Sequence, residues 1–134
     1  MKQLLKLTGC LAVAGLFVSC QSVQQEANYQ VIPLPQEIVV EQGVPFILKS
    51  GVKILYPEGN EKMQRNAKFL ADYLKTATGK DFTIEAGTEG KNAIILALGT
   101  ENENPEAYQL KVADDGVTIT GSTEAGVFYG IQSL

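Results

Sequence analysis

The hydrophobic pattern changes its period several times along this chain, and each change predicts an element. Between residues 31 and 56, apolar side chains alternate with polar or small ones, as in strands that bury one face. Gly43 and the Ser50-Gly51 pair supply turns between these runs. The alternation therefore predicts three strands, one starting at Val31 and the others at residues 44–48 and 52–56.

Two prolines, Pro33 and Pro35, lie one residue apart in the first of these runs. Each proline removes a backbone N–H donor and fixes its own φ, so a central strand does not tolerate them. They predict a peripheral strand with a bent entry, which delivers residues 37–40 to an edge of the sheet.

The spacing becomes helical after residue 60. Asn60 is the expected N-cap, Glu61 favours the positive end of the helix, and Gly79 is the expected stop. Apolar residues recur every three or four positions and predict one buried stripe, with Phe69 and Tyr73 widening it. The stripe consists of Met63, Ala67, Leu70, Leu74 and Ala77.

The following segments return to strand patterns. Phe82 and Ile84 alternate with polar residues, and the wholly apolar residues 93–98 predict a central strand that forms a crossover unit with residues 52–56 and the helix. Residues 107–121 predict a hairpin that turns at Asp115-Gly116, with a positive φ at Gly116. This turn also explains the adjacent carboxylates Asp114 and Asp115, which are too close together to flank a scissile bond.

A second helix is predicted from Ser122, as N-cap, to the last residue. Glu124 lies in its first turn, and no capping glycine or polar tail follows, which predicts that a longer chain continues beyond residue 134. Four apolar residues lie on its neighbouring turns and predict an exposed patch that packs on another domain. They are Val127, Phe128, Ile131 and Leu134.

The composition of the chain excludes several kinds of catalytic site, metal site and binding partner. The chain has no histidine, which excludes a Ser-His-Asp triad, a Cys-His pair and a Cys/His zinc site built from this chain alone, including the H-E-x-x-H site of zinc proteases. Its lysines are scattered and its net charge is −4, so no nucleic-acid partner is expected. No motif indicates a metal ion or a cofactor.

The first residues predict an export signal. Lys2 and Lys6 precede an apolar run too short to span a bilayer, and Ser19-Cys20 resembles the cleavage site of bacterial lipoproteins. Residues 1–19 would be the signal peptide, Cys20 the lipidated residue and residues 20–28 a polar tether. Cys10 comes too early for this role, and an ordinary signal peptide is the alternative. Cleavage would leave nine basic against fifteen acidic residues.

Two stretches carry a resemblance to a known family. The segments "VIPLPQEI" and "AYQLKVADDGVTITGSTEAGVFYGIQSL" resemble the N-terminal domain of family 20 glycoside hydrolases, the β-N-acetylhexosaminidases. The resemblance covers residues 29–134. It implies an α+β domain, a mixed sheet with two helices packed on one face, that precedes a (β/α)8 catalytic barrel.

The resemblance also implies what this chain does not contain. The family's catalytic Asp-Glu pair lies in the barrel, and no residue here matches that motif, so no catalytic residue is assigned. The expected partners are the barrel, against which Val127, Phe128, Ile131 and Leu134 would pack, a membrane through the lipid anchor, and glycan only through the barrel. The alternative is a free-standing surface lipoprotein that binds glycan through exposed aromatic rings such as Tyr29 and Tyr129.

Overall fold

Two helices cover one face of a five-stranded sheet in the computed structural model, which describes residues 29–32, 34–41, 43–100 and 102–134. In chain order the elements are β1 Lys53–Tyr56, α1 Glu61–Thr78, β2 Thr83–Ala86, β3 Ala93–Leu98, β4 Tyr108–Ala113, β5 Gly116–Gly121 and α2 Glu124–Gln132. The strand order is β2-β1-β3-β5-β4, and β4 pairs antiparallel with β5 while the other pairs are parallel. The predicted α+β architecture is confirmed.

Helix α1 begins and ends where its sequence predicts. The Asn60 side-chain oxygen accepts hydrogen bonds from the backbone N–H groups of Lys62 at 3.1 Å and Met63 at 3.0 Å. At the other end Gly79 adopts a φ of 71°, and its N–H donates to the Lys75 carbonyl at 2.8 Å. Glycine reaches this left-handed conformation without steric cost, which explains the sharp stop.

The core lies between the helices and one face of the sheet. Because side chains alternate across a strand, β3 presents Ile94 and Leu96 to the helices, and β5 presents Val117 and Ile119. The predicted parallel pairing of β1 with β3 is confirmed. Helix α1 leads first to β2, however, which pairs in parallel with the other side of β1. On the opposite face, the connection between β2 and β3 approaches Leu55, leaving that side chain 6% exposed.

The predicted opening strands are wrong for the residues that the structure describes. Residues 29–32, 34–41 and 43–50 contain no strand, and Ile38, Val39 and Val40 are exposed. Residues of this segment form no strand pairing with β2 or β4, the two edge strands of the sheet, so the alternating pattern by itself did not produce a strand. Only Phe46 and Leu48 of this segment pack partly against the core, and Pro33 lies outside the described residues.

Two predicted turn and cap residues also need correction. The hairpin turns through Asp114 and Asp115, but Gly116 has no positive φ. A β-carbon at Gly116 would lie 2.7 Å from the Ala93 carbonyl oxygen, so close strand packing is what requires glycine there. The N-cap of α2 is Thr123 rather than Ser122, because the Thr123 hydroxyl accepts from the N–H groups of residues 125 and 126.

Candidate functional site: an aromatic surface on the helix layer

A polar junction fixes the starts of the two helices against each other. Besides capping α1, Asn60 donates a side-chain hydrogen bond to the Glu124 carboxylate at 3.1 Å. Asn66 donates to the Glu124 backbone carbonyl at 2.8 Å. Both amides lie on α1 or at its cap, whereas Glu124 opens α2. The junction therefore sets which sides of the two helices face outward together.

Glu124 is stabilised in its ionised form at this junction. The hydrogen bond from Asn60 lowers the pKa of the Glu124 carboxyl group, its own backbone N–H acts in the same direction, and Lys62 lies 3.9 Å away. A general acid for glycoside hydrolysis needs the opposite change, a raised pKa that keeps the proton at neutral pH. The geometry thus gives Glu124 a structural role.

Four aromatic rings cover the outer side of the helix layer. Phe69 and Tyr73 of α1 are stacked with their centroids 6.5 Å apart. Phe69 also contacts Phe128 of α2, with centroids 5.2 Å apart, and Phe128 meets Tyr129 edge to face at 6.2 Å. These four residues form one continuous group across both helices, and we call it the aromatic surface. Their exposed fractions lie between 37% for Phe128 and 57% for Tyr73.

A shallow cleft of about 270 Å³ runs from the aromatic surface to the polar junction. Arg65 and Asn66 of α1 line the cleft together with Glu124, Phe128 and Tyr129 of α2. Arg65 is the single arginine of the chain, and within the part of the chain that the structure describes no carboxylate forms an ion pair with it. The outer side thus combines aromatic rings with an unpaired cation.

The structure separates the four residues that the sequence grouped into one exposed patch. Val127 and Ile131 are 0% and 1% exposed and belong to the core of this domain, so the predicted exposure of these two is wrong. The reason is that Gly126 and Gly130 let α2 approach its neighbours closely, with Ala107 and Ile119 directly beside them. Phe128 and Leu134 are exposed, at 37% and 42%.

Phe69 and Tyr73 were assigned to the buried stripe of α1, and the structure corrects that assignment. Both rings are exposed, as is Ala77, whereas Met63 and Leu70 are fully buried. The signal in the sequence is their spacing of four on the flank of the helix that also carries Lys62 and Asn66. A flank that carries polar residues beside the aromatic ones is more typical of a surface than of a core.

Other predicted site features lie apart from this surface. Cys20 and the export segment fall outside the described residues. Asp114 and Asp115 form the tip of the hairpin, as the sequence predicts. The described residues contain no group of three carboxylate, cysteine or histidine side chains that could hold a metal ion. None of the helices in the described ranges has the length and apolar character needed to cross a bilayer.

Comparison with known proteins identifies the domain. The family model for glycosyl hydrolase family 20, domain 2, matches residues 28–134. A curated β-hexosaminidase from Porphyromonas gingivalis is 31% identical over 133 residues, which are 98% of this chain but only 16% of that protein.

Solved structures agree with the family model. The family 20 β-N-acetylhexosaminidase from Streptomyces coelicolor matches with a TM-score of 0.69 and 33% identity, over 79% of this chain and 21% of that one. The N-acetyl-β-hexosaminidase from Streptomyces plicatus matches with a TM-score of 0.65 and 32% identity, over 78% and 20%. This chain thus spans about a fifth or less of its relatives' length, the remainder of which includes their catalytic domain. The chain belongs to glycoside hydrolase family 20 as its non-catalytic domain 2.

Proposed function

We propose that this chain is the accessory domain of an exported β-N-acetylhexosaminidase. The reaction, removal of terminal N-acetylhexosamine from a glycan, takes place on a catalytic domain joined to it. The observation that carries the proposal is the 31% identity to the P. gingivalis β-hexosaminidase across 98% of this chain, within 16% of that protein. Likeness over a whole folded unit of a larger enzyme supports the same placement here.

The chemistry of the described surface supports an accessory role. Glycoside hydrolysis by two carboxylates needs a proton donor with a raised pKa beside the scissile bond. In the cleft between the aromatic surface and the polar junction, the carboxylate present is Glu124, whose charged form is favoured by Asn60 and Lys62.

A hybrid enzyme tests the proposal. This chain is joined in front of the P. gingivalis β-hexosaminidase in place of the segment it matches, and turnover of a chromogenic N-acetylglucosaminide is measured. We expect a soluble, active hybrid, no turnover by this chain alone, and low solubility or activity when the matched segment is deleted without replacement. A hybrid no better than the deletion would overturn the proposal.

The proposal includes membrane anchoring through Cys20. The positive residues Lys2 and Lys6, the short apolar run and Ser19-Cys20 support it. Two acyl chains or more would give a stable anchor, where one chain gives marginal binding. We expect mass spectrometry of the mature protein to find a lipidated N-terminal cysteine at residue 20. Cys20→Ser should release the protein from membranes, and Cys10→Ser should not; equal behaviour of the two variants would contradict the assignment.

Glycan binding by the chain itself is the second candidate, favoured by the exposed rings of Tyr73 and Tyr129. Sugar rings stack on exposed aromatic faces, and these two rings lie on the same side of the domain. Titration of the full chain with chitobiose, followed by tyrosine fluorescence, separates the candidates. Saturable binding that Tyr129→Ser abolishes would favour the glycan-binding function.

A further inference from the structure

We propose that the outer edge of β4 is a self-complementary surface through which two copies of this chain pair. The two β4 strands run antiparallel about a twofold axis at Leu110 and join the two sheets into one. The inference goes beyond the proposed function and does not depend on it, because it concerns the edge of the sheet and requires no catalytic domain.

Strand β4 ends the sheet on one side. Among the strands that the structure describes, it pairs with β5 alone, so its other side presents a row of backbone N–H and C=O groups. Such an edge can pair with another chain unless a proline, a bulge or a very short strand protects it. Strand β4 has six residues, YQLKVA, without a proline, and its register with β5 continues without a bulge. The opposite edge strand, β2, has only four residues.

The hairpin fixes which backbone groups of β4 point outward. In an antiparallel pair, opposite residues alternately do and do not exchange hydrogen bonds. The Ser122 N–H donates to the Ala107 carbonyl oxygen at 2.9 Å, and this bond continues the β4–β5 register by one pair. The odd-numbered residues of β4 therefore bond to β5. Tyr108, Leu110 and Val112 direct their N–H and C=O groups to the free edge.

A second copy of the strand fits this edge in one register. Outward-pointing residues must lie opposite each other if their N–H and C=O groups are to pair. A twofold axis at Leu110 achieves this over most of the strand. Leu110 then lies opposite Leu110 of the second copy, and Tyr108 lies opposite Val112 on each side of the axis. The pairing forms about six backbone hydrogen bonds, two for each pair.

The side chains on the helix side of the sheet agree with this register. The Tyr108 hydroxyl lies 2.6 Å from the Ser133 hydroxyl of α2, and Leu110 packs partly against the core. Val112 shares this side of the strand, since side chains alternate, and it is 54% exposed. Contact with Tyr108 of the second copy covers it. Aromatic and β-branched residues on neighbouring strands form stabilising pairs of this kind.

The open side of the sheet selects the same register. There Gln109 lies opposite Lys111 of the second copy, so the one charged residue of β4 meets a neutral amide. An axis one residue further along, at Lys111, would oppose two lysines and would turn the outward backbone groups out of register. Strand β4 thus complements itself, and this property identifies a second copy of the chain as the partner. A single pair of edge strands is a small interface, so we expect a weak, concentration-dependent dimer.

A proline substitution tests the edge. The full chain carries Cys20→Ser, so that no lipid contributes to association, and sedimentation equilibrium measures its dimer dissociation constant. Val112→Pro removes an outward N–H but no hydrogen bond to β5, and it should weaken the dimer at least about tenfold. Val39→Pro is the control, because Val39 is apolar, 73% exposed and outside the sheet; it should leave the dissociation constant unchanged. A chain that stays monomeric at every concentration, or a dimer that Val112→Pro does not weaken, would overturn the inference.

An exchange of charge tests the register, and it remains informative if Val112→Pro unfolds the domain. Gln109 and Lys111 are both exposed, so their replacement leaves the core unchanged. Gln109→Lys opposes Lys111 of the second copy and should weaken the dimer several-fold. Adding Lys111→Gln restores a lysine opposite an amide and should bring back the original dissociation constant. A double variant as weak as Gln109→Lys would overturn the register.

Amide hydrogen exchange reads the pairing without any substitution in β4. Where the dimer forms, the N–H groups of Tyr108, Leu110 and Val112 should exchange several-fold more slowly than in dilute solution. Those of Gln109 and Lys111, which bond to β5, should change little. Equal changes along the strand would overturn the inference. Slow exchange of the first three groups in the monomer would show that another segment of the same chain covers the edge, and the inference would fail. The hybrid enzyme tests the accessory role separately.

Discussion

The inner and outer sides of the helix layer both carry apolar residues, but these residues differ in how far they are buried. Leu70 and Val127 point into the sheet and are fully buried, while the adjacent Phe69 and Phe128 lie outside with more than a third of their surface exposed. One step along a helix rotates a side chain by about 100°, which is enough to change its environment completely. Apolar character alone therefore does not distinguish a buried residue from an exposed one in this domain.

The largest expected effect separates the two sides directly. Leu70→Ala should lower the free energy of unfolding by about 3–4 kcal/mol, because it leaves a cavity in a closed core. Phe69→Ala, one residue away, should cost about 1 kcal/mol, the contribution of its ring contacts with Tyr73 and Phe128. Urea unfolding of the full chain measures both. Equal losses of unfolding free energy in the two variants would show that Phe69 contributes to the core as much as Leu70 does.

A somewhat smaller effect is expected where α2 lies closest to its neighbours. A β-carbon at Gly126 would collide with the backbone carbonyl of Ala107, which cannot move as a side-chain tip can. Gly126→Ala should therefore destabilise the domain by about 2–3 kcal/mol. Gly43→Ala is the matched control, since nothing lies within 4 Å of a β-carbon there. The melting temperature of Gly126→Ala should be clearly lower than that of Gly43→Ala. Equal melting temperatures would show that α2 can shift on the sheet to accommodate the added β-carbon.

The cap of α2 should matter less than its packing. Thr123→Ala removes the acceptor for the N–H groups of residues 125 and 126, together with the hydrogen bond to the Pro105 carbonyl at 2.6 Å. We expect a loss of about 1 kcal/mol. Ser122→Ala should cost less, because the Ser122 hydroxyl contacts Thr100 and caps no helix. Chemical denaturation would contradict the cap assignment if the order were reversed.

The smallest effect concerns the junction between the helices, and it depends on pH. The pKa of Glu124 is lower in the folded state than in the unfolded chain. The stabilisation that results is therefore fully present above the ordinary pKa of a glutamate, about 4.3. It is lost as the pH falls through the lower pKa of the folded state. Glu124→Gln keeps an acceptor for Asn60 but loses the charge. The urea midpoint of the wild type should exceed that of the variant slightly at pH 7, and the gap should close once acid protonates the Glu124 carboxyl group in the folded state. A gap that persists in acid would assign the effect to packing.

Much of the fold follows from local patterns. Helix α1, its caps at Asn60 and Gly79, the buried strand β3 and the hairpin all appear where the sequence predicts them. These features depend on neighbours within a few residues, so periodicity and capping chemistry suffice. The opening strands were predicted by the same alternation and are not formed in the described residues. A strand also has to pair with another part of the chain, and alternation carries no information about that pairing.

The sequence by itself determined that this chain is an α+β domain similar to the non-catalytic part of family 20 enzymes. It also excluded every catalytic or metal site that needs a histidine from this chain. Only the tertiary structure decided which apolar residues face outward. Val127 and Ile131 are buried where two glycines let α2 approach its neighbours closely. Phe69 and Tyr73 are exposed because the buried side of α1 is occupied by residues such as Met63 and Leu70. Helical spacing fixes which residues share a side, but the direction of that side depends on long-range contacts that no local pattern contains.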